Sequence, residues 1–511
     1  MNLQIADELE RIAKGEILAD NWSRTIYSVD ASHYSIEPSA IAYPLDEHDL
    51  SRICQYGYSK NISITARGAG TGLLGQSLNN QIILDFTKHM NKILEIGPDY
   101  VLVQPGLVKG VLDKELKKRG KFLPPDPAST NYCTIGGMIA NNSSGVHALG
   151  YGSTIEFLDM VNIVYSNGSF GCIGSRDTLS SYDERIAKLY NLVSPYTDLI
   201  QMRYPRVTKN SCGYRLDAVI NNQKFYPQKI FAASEGTLGI IASAKLKIIE
   251  IPLFRATIVF GFEDLLSAIS VVPVALRLYP VALEMLDHTV SRNQDTNSLS
   301  RGLGGSNNGG TLLFVEFAGN TLVDVEQKVT ECKNKLSFKS KILESVTDEN
   351  SSRRIWEARR SALNNAMKLT VGSRKPAGLI EDTVVNPNIL YDYTRFLLQK
   401  YNDNKLDYVM YGHAGNGNLH TRPIIDMDSK TELELFNIIG DEVFTRVISC
   451  GGTITGEHGD GIARTRYIKS MYGTQLVSIF EQIKKLFDPR NIMNPGKKVT
   501  ISDLATSNNL N

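Results

Sequence analysis

The 511-residue chain is long enough for two or three domains that each bury a core, and 42% apolar with 21% charged residues is ordinary for a soluble globular protein. A formal charge of +1 excludes nucleic acid as the main partner, because phosphate recognition needs a concentrated basic surface. No apolar run approaches the roughly 20 residues that span a bilayer, and the opening residues lack a signal-peptide core, so a cytoplasmic protein is expected, with peripheral membrane attachment left open.

Residues 1–20 read as a helix with Leu9, Ile12 and Leu18 as its apolar positions. From Ser39 the pattern becomes strand (IAYP), helix (DEHDLSRICQYGYSK) and alternating strand (ISITARG), which runs into GAGTGLLG, Gly68 to Gly75. Gly70 to Gly75 satisfies GxGxxG, yet a dinucleotide fold needs a helix after the glycines, and QSLNNQIILDF supplies a turn and a short strand. The loop is therefore an amide cradle suited to a pyrophosphate, without the nicotinamide-type helix. VLDKELKKRG is an amphipathic helix with a solvated basic end and Gly120 as its C-cap. PPDPAST is rigid, and CTIGGMIANNSSGVHALGYGS is too rich in Gly, Asn and Ser for one continuous helix or strand. Its role is a backbone surface moulded onto a ligand.

After Pro252 the pattern restarts: strand ATIVFGF, helix EDLLSAISVVPVALRL, strand ALEMLD, a polar insertion from Asn293 to Gly310 read as a mobile loop, strand TLLFVEFAG and helix TLVDVEQKVTECKNKL. Two strand–helix units of this kind suggest an α+β cap. Asp348 to Leu369 reads as a helix with Ile355, Leu363 and Ala366 inward and an Arg353–Glu357 pair on its surface. LVSIFEQIKKLFDPRNIMNPGK is amphipathic until Pro489 and Pro495, and the polar tail after Val499 is expected to be disordered. The six cysteines are scattered, which excludes an intrinsic cluster of the CxxCxxC kind.

Two islands lie between these segments: GHAGNGNLH (Gly412–His420) and GEHGDG (Gly456–Gly461). Two histidines seven apart with a distant glutamate recur by chance, and neither HExxH nor CxxC is present. What sets this group apart is that Glu457 and His458 adjoin inside a glycine-rich turn, which no core helix would contain. A pair of imidazoles and a carboxylate suits a borderline divalent metal, zinc or manganese, so His413, His420 and Glu457 are the expected ligands. His458 is then left as a proton acceptor. Arg422, two residues beyond His420, puts a guanidinium suited to a ligand carboxylate beside that set.

RGAGTGLLGQS, PDPAST…TIGGMIANNSSG…YGS and ASEGTLGII resemble the PCMH-type flavin-binding domain of the vanillyl-alcohol-oxidase/FAD-linked oxidase family, and the second half is similar to that family's C-terminal domain. VTKNSCGYRLD, GHAGNGNLHTRP and GEHGDGIAR resemble its D-2-hydroxyacid dehydrogenase branch, the 2-hydroxyglutarate, lactate and glycolate types. The resemblance implies an α+β chain: an FAD-binding PCMH-type domain over 1–251, a ferredoxin-like α/β cap over 252–430, a helical segment over 431–498 returning to the flavin, and a tail over 499–511. It implies FAD contacts from Arg67, Gly68, Ala69, Gly70, Thr71, Gly72, Leu73, Gly75, Gln76 and Ser77. Pro125, Asp126, Ser129, Gly136, Gly137, Asn141, Ser143 and Gly145 would line the rest, with Glu235, Gly236 and Ile240 closing the adenine side. The first glycine loop has no histidine, so the FAD is expected to be non-covalent. Arg359 stands where the family places an arginine that grips the substrate carboxylate.

The expected activity is FAD-dependent, metal-assisted oxidation of a D-2-hydroxy acid to the 2-oxo acid. Electrons would pass to a quinone, an electron-transfer protein or a separate iron–sulfur subunit, and a homodimer is left open. The alternatives are a flavin subunit that only relays electrons, an alkylglycerone-phosphate-synthase-like flavoenzyme, and a flavin-free metal hydrolase using the same ligands.

Overall fold

The computed structural model describes residues 2–176, 182–291, 310–366 and 372–500. The polar insertion over 293–309 and the tail beyond 500 lie outside them, as do the side chains of Leu363 and Ala366.

Three sheets organise the chain. The first has the order Glu16–Leu18, Ala40–Tyr43, Ile82–Asp85, Ile64–Arg67, parallel except at its first pair. The opening residues are thus not one helix: Asn2–Ile12 is helical, and Leu18 belongs to a strand paired with Ile41. Gly15 forces the break, since a side chain there would run into the backbone oxygen of Tyr43. The second sheet is antiparallel, in the order Ile93–Ile96, Tyr100–Val103, Ile240–Lys247, Leu158–Val164, Phe170–Gly174. Between these two sheets lie the glycine-rich segments. The second of them is not all loop: Thr134 caps a helix over Ile135–Asn141, and Asn142 ends it in the left-handed conformation.

The third sheet has eight antiparallel strands and lies in the segment expected as the cap. Phe254–Phe262, Thr311–Gly319 and Ala282–Leu286 lie side by side, followed by the hairpin Tyr408–His413 and Asn418–Asp426. Helices Leu322–Leu336 and Glu349–Ala366 lie where the periodicity predicts them, and Pro273 splits the expected long helix into Leu265–Ser270 and Val272–Leu276. Strand Lys341–Val346 and helix Lys430–Ser449 carry no strong periodic signal, whereas helix Leu390–Asp403 buries Leu390, Tyr393, Thr394, Leu397 and Tyr401 at helical spacing. Arg353 does not pair with Glu357 as its spacing suggests; its guanidinium donates to Asn350.

One apolar cluster runs across both halves, from Val103 and Ile163 in the second sheet to Val315 and Phe317 in the cap and Phe480 in the last helix. The C-terminal return is stitched behind the first glycine loop. Asn494 accepts from Thr65 (2.8 Å) and donates to the carbonyls of Gln76 (2.9 Å) and Glu235 (2.6 Å), while Lys484 donates to Thr237 O and Met493 O. A second tie joins the halves directly. His147 Nδ1 lies 2.6 Å from Asp126, and its Nε2 lies 3.1 Å from buried Glu316 in the cap sheet.

Burial opposes a charge on His147, but the Asp126 and Glu316 carboxylates outweigh it and raise its pKa to about 10. A raised pKa stabilises the fold fully below the ordinary value near 6.5 and ceases to as pH rises through about 10. His147→Gln is therefore expected to lower the unfolding midpoint at pH 6 and to converge on the wild type near pH 10, a difference that thermal melts across pH would read.

Candidate active site

Three of the eight histidines meet around one carboxylate oxygen. In the cap hairpin, Tyr411 pairs with His420 and His413 with Asn418, so a separation of seven brings both imidazoles onto the same face. Gly417 makes this possible: it turns at φ +67° with its Cα against the Val385 carbonyl, where no side chain fits. The rings of His413 and His420 stand edge to face with centroids 5.2 Å apart. Their Nε2 atoms approach Glu457 Oε1 to 3.1 and 3.4 Å. His458 stacks on His420 at 5.0 Å, with its Nε2 3.9 Å from the same oxygen.

The turn carrying Glu457 and His458 is gripped at both ends. Asp382 Oδ2 accepts the amides of Glu457 (3.0 Å) and His458 (2.9 Å) and the Thr455 hydroxyl (2.7 Å). Glu235 accepts the amides of Asp460 (2.6 Å) and Gly461 (3.0 Å). Each carboxylate has its own cation: Arg464 lies 3.6 Å from Asp382, and Lys498 lies 3.3 Å from Glu235 and 2.7 Å from Asp460. Asp382 (φ +70°) and Glu235 (φ +53°) both hold left-handed backbone, at a cost of roughly 1–3 kcal/mol each.

Further carboxylates set each imidazole. His413 Nδ1 lies 2.7 Å from Glu284, and His458 Nδ1 lies 3.1 Å from Glu381. Burial pushes His458 toward its neutral form, but Asp382 and Glu381 raise its pKa above the usual histidine value. His420 has no such partner at Nδ1, and burial pulls it down to about 4 against the lift from Glu457, so it is neutral at neutral pH. Burial pushes the Glu457 carboxyl up, yet Lys209 and His413 beside it hold it well below the usual carboxylate range.

Two imidazoles and a carboxylate converging in this way fit a borderline divalent cation. Asp382 also lies close enough to His420, Glu457 and His458 to share a metal. Its oxygens already accept two amides and a hydroxyl, so it serves better as the anchor of the turn than as a ligand.

Glu457 and His458 form part of the wall of a cavity of about 320 Å³ that extends to the first glycine loop. Arg67 to Leu73, Gln76, Ser77, Ser129, Gly136, Gly137, Asn141, Ser143, Glu235, Gly236 and Ile240 line it. The glycines are held from behind: a side chain at Gly68 would collide with the Thr134 hydroxyl, and one at Gly136 with Pro105. Bare backbone on one side and Ile240 and Ile241 on another suit a long ligand with a phosphate-bearing middle and an aromatic end.

Other expected contacts lie behind this wall. Asp126 is committed to His147, Gly145 packs against the Asp126 carbonyl, Gly75 packs on Ile462 and Tyr34, and Pro125 does not reach the cavity. Arg359 and Arg422 are both buried beside the imidazoles, and each already has a carboxylate: Arg359 is paired with Glu284, and Arg422 with Glu381. Arginines gripping only a ligand would leave those glutamates uncompensated. The sequence reading missed five residues of the network: Ser144, Lys209, Glu284, Glu381 and Asp382. The first two lie within segments already marked by the family pattern, NNSSG and VTKNSCGY. Glu284, inside strand ALEML, carried no signal beyond being a charge at an inward position.

The fold is that of PCMH-type flavoproteins of known structure. A substrate-bound p-cresol methylhydroxylase aligns over 97% of this chain and 96% of its own, with a TM-score of 0.69 at 16% identity. An alkyldihydroxyacetonephosphate synthase aligns over 97% and 85%, with a TM-score of 0.68 at 18% identity. Residues 38–170 match the model of the FAD binding domain, and residues 251–498 match that of the FAD linked oxidases, C-terminal domain. The chain belongs to the FAD-linked oxidases. It is 33% identical to a D-2-hydroxyglutarate dehydrogenase of Haemophilus influenzae over 96% of this chain, but spans only 51% of that relative's length. A glycolate oxidase subunit GlcD of Bacillus subtilis is 29% identical, with 96% of each chain covered.

Because the Asp382 carboxylate holds the turn and is itself balanced by Arg464, Asp382→Asn leaves a buried guanidinium uncompensated. The expected cost is about 3–5 kcal/mol, read as a fall in the urea midpoint at unchanged slope.

Proposed function

We propose that the chain is an FAD-dependent, metal-assisted dehydrogenase that oxidises a D-2-hydroxy acid to the 2-oxo acid. The observation that supports this best is the cluster of three imidazoles around Glu457 Oε1, set in the wall of the cavity that the FAD-binding segments form. The names of the relatives, a D-2-hydroxyglutarate dehydrogenase and a glycolate oxidase subunit, point the same way. Bound FAD supplies a two-electron acceptor for hydride, and a cation held by His413, His420 and Glu457 supplies a Lewis acid that acidifies an alcohol.

The chain's own residues do the rest. His458, held through Nδ1 by Glu381, presents Nε2 to the cluster and takes the substrate's hydroxyl proton. Glu381 fixes the tautomer and stabilises the imidazolium that results. Arg359 and Arg422 place two guanidinium groups beside the imidazoles, the first for the carboxylate next to the carbinol and the second for a distal carboxylate. Their glutamate partners keep them folded in place before substrate arrives. The 252–430 segment is the substrate cap in this reading, and 431–498 brings the base to the flavin. Electrons then leave to a quinone, an electron-transfer protein or a separate iron–sulfur subunit; among the described residues no helix is long and apolar enough to cross a membrane.

His458→Asn is expected to lower kcat by about 10²–10⁴-fold while flavin absorbance is retained. A loss below tenfold on a panel of D- and L-2-hydroxy acids with a dye acceptor would return His458 to a structural role. Arg422→Gln is expected to raise KM for 2-hydroxyglutarate far more than for lactate; equal effects on both would remove the distal-carboxylate role.

A further inference from the structure

The two oxygens of Glu457 have different company. Oε1 faces the imidazoles, whereas Oε2 accepts from Ser144 Oγ at 2.5 Å and Lys209 Nζ at 3.0 Å. Lys209 is fully buried, and among the described residues its one other partner is Asn418 Oδ1 at 3.4 Å. An ammonium taken out of water costs several kcal/mol unless its partners are well placed. Its segment is fastened to the turn: Ser211 donates to Gly456 O (2.9 Å) and Asn210 accepts from Thr453 (2.8 Å). Neither group takes a place among the ligands: an ammonium has no lone pair, and Ser144 Oγ sits at Oε2 rather than at the oxygen that faces the imidazoles.

We infer that Lys209 and Ser144 are positioning residues that restrict Glu457 to a single ligand oxygen, so that the site formed with His413 and His420 prefers zinc-like cations over calcium. Zinc is content with about four ligands, including imidazoles, whereas calcium gathers roughly six to eight oxygens and often takes both oxygens of a carboxylate. The inference rests on the metal reading given above and goes beyond it, because it says how the carboxylate is held and what that excludes.

Simple electrostatics makes the opposite prediction, which gives the test its force. If Lys209 only neutralised Glu457, removing it would take a positive charge away from the site and tighten every divalent cation. If it holds the carboxylate in place, removing it weakens zinc. Flavin-loaded protein is stripped with chelator, and zinc or calcium alone is returned against a competing chelating dye. Lys209→Met is expected to weaken zinc by about 10–100-fold and to lower the zinc-to-calcium preference, and Lys209→Arg to recover most of it. Ser144→Ala, which changes no charge and keeps the test alive if Lys209→Met fails to fold, is expected to weaken zinc in the same direction. Tighter zinc in Lys209→Met, or unchanged zinc in Ser144→Ala, overturns the positioning role alone. A wild-type protein that takes up no zinc overturns the metal reading, and this inference with it.

Discussion

The structure depends on two buried carboxylates that accept the amides of one glycine-rich turn. A peptide N–H buried without a partner costs about 1–3 kcal/mol, and four amides of the turn from Gly456 to Gly461 find their partners in side-chain carboxylates. Asp382 from the cap takes two and Glu235 from the flavin-binding half takes the other two. The turn therefore sits where the two halves of the chain meet, and it cannot form from either half alone. The glycines follow from this closeness: Gly459 (φ +84°) packs against the Glu235 carboxylate, and Gly461 (φ +52°) against the Leu74 backbone.

With that turn fixed, the cluster of imidazoles becomes a graded set. His413 and His458 each have a carboxylate at Nδ1, which settles the tautomer and turns Nε2 inward. His420 lacks one and remains neutral. Three identical side chains thus differ in basicity through their surroundings, which is what a site needs if some of them are to bind a cation and another is to move a proton. Arg359 and Arg422 answer the glutamates behind two of these histidines, so the charge is balanced in depth rather than at the surface.

Much of this could be read from the chain, and the reasons differ by element. The strands and helices of the cap with clear period-2 or period-3.6 patterns appear where expected. Lys341–Val346 is an edge strand with mostly exposed side chains, so alternation does not mark it. Helix Lys430–Ser449 was hidden because its apolar residues are spread around it. The glycine-flanked histidines drew attention as a composition anomaly, and the hairpin explains their spacing. Glu284, Glu381 and Asp382 had no such marker. A single acidic residue in a strand or after a loop looks like a surface charge until the chain folds and buries it against a histidine. The role of Lys209 is illegible in the chain for the same reason: its partner lies 248 residues away.

The Asn494 stitch has a consequence for how the chain is made. Thr65, in the third strand of the polypeptide, finds its hydrogen-bond partner 429 residues later, and the same asparagine ties down the carbonyls of Gln76 and Glu235. The first glycine loop therefore leaves the ribosome long before the segment that backs it. Contacts this distant in sequence make closure slow and leave apolar strands waiting in the interval. The first glycine loop reaches its final shape only after the last helix has been translated.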